Sequence, residues 1–196
     1  MILNKHFPSI IGTEMNSNHK NIQDKLIDRC YNLKNNIKKG GEEWLSQSTY
    51  NTIGKYNIFF DSKFLQLNQF IITSVKNYCK LLNIKENSID YTPTDAWFNI
   101  YKKGDYQEYH SHNDSLISVV YFLKANINSA KIFFKNRYLD MIQPIYNHYT
   151  PDTFERVTYT PEPGLALIFR SHLEHSVEKH NDKEERISVA YNFKKK

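Results

Sequence analysis

The chain has 196 residues, 40% of them hydrophobic, which is enough for one domain with a substantial core. Much of its formal net charge of +5 sits in the tail Lys194-Lys195-Lys196, so the charge does not mark a nucleic-acid groove. No apolar run approaches the ~18 residues of a membrane span, and no apolar core of a secretory signal follows Met1 to His6. These features predict a cytoplasmic chain without membrane contact. Cys30 and Cys79 are its two cysteines. Each falls inside a helical pattern, as a buried thiol does in a reducing compartment.

In chain order, Phe7 to Ile11 reads as a short first strand. Asn16 to Asn18 can cap a helix from about His19 to Lys34, whose apolar stripe is Ile22, Leu26, Ile27, Cys30 and Leu33. Asn35 to Glu43 is a polar loop. Trp44, which follows it, either packs beneath that loop or lines a site. Asp61 caps a second helix, Ser62 to about Leu82, with Phe64, Leu67, Ile71, Val75 and Tyr78 at helical spacing. Ile84 to Thr94 is a connector.

The stretch from Trp97 to Leu123 reads as strand, turn, strand, turn, strand. Trp97, Asn99 and Tyr101 share one face, and Phe98 and Ile100 the other. Gly104 marks a hairpin turn, and Tyr106 runs back to His110. His110-Ser111-His112-Asn113-Asp114 then places two imidazoles at one strand end on the same side. Ser115 to Leu123 is an apolar, β-branched run suited to a sheet interior. Ala130 to Phe134 and Leu165 to Phe169 are further strands. Asn136 to Thr160, long and rich in tyrosine, reads as a functional lid or insertion. His175 follows the Leu165 strand, and Arg186 opens a strand running to Phe193. His172 and His180 are expected to face solvent.

H-x-H, a distant His175 and Arg186 eleven residues beyond it form a constellation. It resembles the iron(II)- and 2-oxoglutarate-dependent oxygenases. The lead-in Tyr101, Gly104, His110 is similar to that of the prolyl-hydroxylase-like members. Leu116, Ser118, Tyr121, Leu123, His175, Val177, Arg186, Ile187, Ser188 and Asn192 match a small, largely uncharacterised branch. Val119 and Phe122 depart from that branch's glycine and tyrosine. The branch also begins with an F-P strand and places a tryptophan like Trp44 beside its active site.

The resemblance implies an all-β core with flanking helices, a double-stranded β-helix of the jelly-roll, cupin-like kind. It is expected over residues 96–193, with 1–95 supplying a strand and supporting helices to a single domain of 1–196. It also implies Fe(II), O2 and 2-oxoglutarate as co-substrate, with decarboxylation to succinate and hydroxylation of a substrate. Three open positions on the metal are required. Aligning on Gly104 gives His110, His112 and His175 as ligands, with Asp114 behind them. Aligning on H-x-D gives His112 and Asp114 instead. Arg186 would grip the far carboxylate of 2-oxoglutarate as a bidentate fork, helped by Ser188 and by a phenol from Tyr121. Asn99 and Tyr101 would lie near the carboxylate closer to the metal.

Zinc accepts three histidines equally well, and a cupin-like dioxygenase without 2-oxoglutarate or a non-catalytic metal-binding jelly roll are the competing readings. Arg186 separates them, because neither needs it. The primary substrate stays open between a small molecule, a protein side chain and a nucleobase, and the oligomeric state is open too.

Overall fold

Alternation of side chains along a strand decides which residues can meet, and here it builds two sheets with a site between them. The computed structural model describes residues 2, 8–138 and 144–196. Its strands are β1 (Ile11–Met15), β2 (Tyr50–Asn51), β3 (Asp95–Tyr101), β4 (Gln107–His110), β5 (Ile117–Lys124), β6 (Ile132–Lys135), β7 (Arg156–Tyr159), β8 (Leu165–Arg170), β9 (His175–Val177) and β10 (Arg186–Phe193). The helices are α1 (His19–Asn36) and α2 (Leu65–Leu81). Six strands form a major sheet in the order β1-β8-β5-β10-β3-β2, and four form a minor sheet in the order β4-β9-β6-β7.

The outer face of the major sheet carries Phe98, Ile100, Ile117, Val119, Ile187, Val189 and Phe193. It packs on Ile22, Leu26 and Cys30 of α1 and on Leu67, Ile71, Val75 and Tyr78 of α2. Asp61 caps the turn leading into α2, accepting from the Lys63 amide at 2.9 Å. It also pairs with Arg29 of α1 at 2.7 Å, which ties the two helices together. Cys30 and Cys79 are free, buried thiols. The inner face meets the minor sheet through Phe122, Leu167 and Phe169 against Ile132 and Phe134.

Several expectations need correction. Phe7 of the expected first strand lies outside the described residues, and Pro8–Ile10 precede the paired strand. The turn at Gly104 does not close a hairpin: β3 belongs to the major sheet and β4 to the minor one. Gly104, at φ +98°, occupies a backbone region natural only to glycine. Its amide donates to the His180 carbonyl at 2.7 Å, and the His180 amide donates to Asp105 at 2.7 Å. That pairing with a distant loop swings the chain across to the second sheet. The segment 136–160 contains the edge strand β7, and residues 139–143 within it lie outside the described residues.

His180 is fully buried rather than facing solvent. Its Nδ1 accepts from the Ala130 amide at 3.1 Å, and its Nε2 donates to the Glu184 carbonyl at 2.7 Å. The ring thus joins the 102–105 turn, the 126–130 turn and the loop before β10. His180→Ala leaves two backbone groups without their partner and opens a cavity, so we expect a loss of about 3 kcal/mol. Urea denaturation of the variant checks this; a change below about 1 kcal/mol would show that the ring is dispensable.

Candidate active site

Strand β10 sets the site. Arg186, Ser188 and Ala190 share its inner face, and β3 beside it presents Tyr101, Asn99 and Trp97 in matching register. The minor sheet closes the cavity from the other side with Gln107, His110, Ile132, His175 and Val177. Trp44 from the 38–49 loop also lines it. That loop is pinned to β4: the Leu45 amide donates to a Glu108 carboxylate oxygen at 2.9 Å, and Thr49 Oγ1 donates to the Tyr106 carbonyl at 2.9 Å. Of the two readings open for Trp44, the structure therefore places it at the cavity.

His110 and His175 are partners in the β4–β9 pairing, and His112 follows two residues after His110. Each of the three offers a ring nitrogen within 4.8 Å of the others'. Their ring centroids lie 4.3 to 5.2 Å apart. His110 Nδ1 faces the Glu108 carbonyl at 2.8 Å, and His175 Nδ1 faces the Leu173 carbonyl at 2.9 Å. A carbonyl only accepts, so both rings carry their proton on Nδ1 and keep Nε2 free for a metal. Asp114 is exposed and is not part of this group.

Burial lowers the pKa of all three rings, and their proximity to one another adds to the effect for His112 and His175. His112 falls to about 3. The three rings are therefore neutral at pH 7. The sign for stability follows: between the folded value and the unfolded value near 6.5, only the unfolded chain takes up protons. The metal-free protein should hold full stability above pH ~6.5 and lose it as the pH falls below. Each ring that stays neutral in the folded chain contributes a loss of roughly 0.7 kcal/mol between pH 7 and pH 6. Urea midpoints across that range measure it, and a flat profile would contradict the neutral triad.

Arg186 is fully buried. Its guanidinium lies over the Tyr101 ring at 4.6 Å and the Phe122 ring at 5.2 Å, and donates to Ser188 Oγ at 3.4 Å. Among the described residues no carboxylate forms an ion pair with it. Burial pulls its pKa down, while Tyr101 and Glu178 support the charge. Among the described residues, no hydrogen-bond partner reaches the buried Arg186 Nε, Asn99 Oδ1 or Trp97 Nε1. All three residues line the one cavity that holds the histidines. Unpaired buried groups of this kind are costly unless a ligand completes them.

Two assignments change. Tyr121 cannot reach this cavity: it lies on the outer face of β5, where its hydroxyl meets His19 Nδ1 at 2.7 Å and Asn16 Nδ2 at 3.3 Å. Large apolar residues stand on both faces of β5, so polarity did not reveal which way Tyr121 points. The phenol beside Arg186 belongs to Tyr101, which is therefore at the guanidinium rather than confined to the metal end. Trp97 lines the site without having been assigned a role there. Its place on one face with Asn99 and Tyr101 was the available signal.

Two β-sheets closing around a histidine cluster define a double-stranded β-helix with a metal-type pocket. The family model described as "Putative 2OG-Fe(II) oxygenase" matches residues 95–192, half of the chain, and the chain belongs to this family. It is accordingly an Fe(II)- and 2-oxoglutarate-dependent oxygenase, using O2. No curated protein matches the sequence. Among solved structures, a Pseudomonas putida prolyl-4-hydroxylase is similar over 94% of this chain and 92% of its own, with TM-score 0.64 and 12% identity. A Trichoplax adhaerens prolyl hydroxylase, solved with a hypoxia inducible factor peptide fragment, gives TM-score 0.62 and 13% identity over 93% and 82%. HygX from Streptomyces hygroscopicus, solved with nickel, 2-oxoglutarate and hygromycin B, gives 0.60 and 7% over 95% and 83%. At these identities the likeness is one of fold. Among the described residues no helix is long and apolar enough to cross a membrane.

Proposed function

We propose that the protein hydroxylates a substrate, with iron held by His110, His112 and His175 and 2-oxoglutarate anchored by Arg186. The observation that carries this reading is a buried guanidinium that no carboxylate among the described residues pairs with, in the same cavity as three clustered imidazoles. The donor set fits: imidazole nitrogen suits iron as well as zinc, two of the rings have their tautomers set by backbone carbonyls, and the family selects iron. Iron with O2 supplies the oxidising chemistry, in which 2-oxoglutarate loses CO2 to become succinate and the substrate gains a hydroxyl.

The chain's own residues bind and orient. Arg186 and Ser188 hold the far carboxylate, with Tyr101 beside them. Asn99 presents its unpaired amide oxygen toward the cavity. Trp44 and Trp97 wall the cavity and limit water. Selection of the primary substrate falls to loop residues such as Trp44, which lines the cavity. Free, buried Cys30 and Cys79 accord with work in a reducing compartment such as the cytoplasm.

Anaerobic addition of Fe(II) and then 2-oxoglutarate tests the reading. The visible absorption band of the iron–keto-acid chelate should appear only when both are present, and succinate should form on admission of O2. A protein that binds iron and shows neither band nor succinate is a metal-binding barrel of another kind.

A further inference from the structure

The three histidines are not held alike. His110 and His175 donate to backbone carbonyls, whereas His112 Nδ1 faces the side-chain amide of Asn192 at 3.3 Å. Asn192 lies on β10, buried, six residues beyond Arg186. Its Oδ1 accepts from Ser118 Oγ at 2.8 Å, and Ser118 Oγ is 2.8 Å from Ser171 Oγ. The Ser171 carbonyl accepts from the His112 backbone amide at 2.9 Å, closing the ring of contacts on His112. Ser118 and Ser171 are both buried.

With the amide nitrogen toward the imidazole, His112 Nδ1 must accept, and its single proton sits on Nε2. That proton occupies the lone pair a metal needs. Turning the carboxamide by half a turn exchanges its oxygen and nitrogen with little movement of other atoms. Nδ1–H of His112 then donates to Asn192 Oδ1, and Nε2 is free. Asn192 Nδ2 now donates to Ser118 Oγ, whose own proton goes to Ser171 Oγ. Hydroxyls can donate or accept, so a pair of them satisfies either direction, which a fixed carbonyl cannot do.

We propose that Asn192, Ser118 and Ser171 form a reversible hydrogen-bond relay that decides which nitrogen of His112 carries the proton. Asn192 is a positioning residue for the third metal ligand. The inference rests on the metal reading above and extends it to residues outside the cavity wall. No net proton is taken up; the relay changes direction as a unit when a metal enters.

The test is the affinity of anaerobic Fe(II), or of Co(II) followed by its visible spectrum, in the full-length protein and two variants. Asn192→Asp offers His112 Nδ1–H an acceptor in either orientation and should bind at least as tightly as wild type. Asn192→Leu keeps the volume and removes the acceptor, and should bind 10- to 100-fold more weakly with an unchanged circular dichroism spectrum. Wild type and Asn192→Leu binding alike overturns the relay and leaves the metal site standing. Asn192→Asp binding 10-fold or more weakly than wild type also overturns it, and stays informative should the leucine variant fail to fold. A wild type that binds neither metal removes the metal reading and the relay together.

Discussion

Arg186→Ala should lose 2-oxoglutarate binding by tens- to thousands-fold while retaining Fe(II). Removing one member of a buried charge pair costs roughly 2–5 kcal/mol, and each 1.4 kcal/mol is tenfold in affinity. Arg186→Lys should recover part of the loss, because an ammonium lacks the planar fork. The ligand-free protein should respond in the opposite sense. There the guanidinium is fully buried, supported by two ring faces and a serine hydroxyl. Cation–π contacts give about 0.5–2 kcal/mol each, less than the several kcal/mol of desolvating an unpaired ion. Arg186→Met should therefore raise the melting temperature of the ligand-free protein as it abolishes co-substrate binding. Succinate formation against 2-oxoglutarate concentration, with thermal melts of the same samples, measures both. A variant with unchanged KM for 2-oxoglutarate, or one that is destabilised and otherwise normal, would make Arg186 a structural residue.

His175→Ala should combine loss of tight iron binding with a folding defect. The ring is 3% exposed. It is stacked on Phe134 at 5.6 Å and set edge-on to Phe169 at 4.9 Å. Truncating a packed ring costs about 3–5 kcal/mol; here the total is reduced because the imidazole is itself a desolvated polar group. His112→Ala should lose the metal with a smaller effect on the fold, since its ring is only partly buried. Asp114→Ala should change neither. Iron titrations with urea curves on the three variants decide the register of the cluster. Retention of iron by His112→Ala together with its loss in Asp114→Ala would transfer the second ligand to the carboxylate.

How far the sequence spoke depended on whether a strand has two unlike faces. Along β3 polar and apolar residues alternate, so Trp97, Asn99 and Tyr101 were legible as one face, as were Arg186 and Ser188 on β10. Along β5 large apolar residues stand on both faces, and the direction of Tyr121 could not be read from polarity. The apolar stripes of both helices were legible because amphipathic spacing is a local property. The crossing at Gly104 was not, since it depends on bonds to His180, seventy-six positions away. His180 itself sits among Glu178, Lys179, Asn181 and Asp182, a context that resembles a surface loop. Its burial comes from contacts made across three loops, which local composition does not record.

A metal site built from three neutral imidazoles contributes no negative charge of its own. A divalent ion held there keeps its full charge, where a triad with a carboxylate would halve it. Iron alone is then held less firmly, and an anionic chelator is drawn in more strongly. The two binding equilibria are thereby linked, and linkage is reciprocal: each partner must tighten the other by the same factor. Iron affinity measured with and without saturating 2-oxoglutarate should differ by at least tenfold. His112→Asp should narrow that gap by tightening iron in the absence of the co-substrate. Such an enzyme would load iron and keto acid as a coupled pair, so the level of 2-oxoglutarate would govern how much of the protein is metallated.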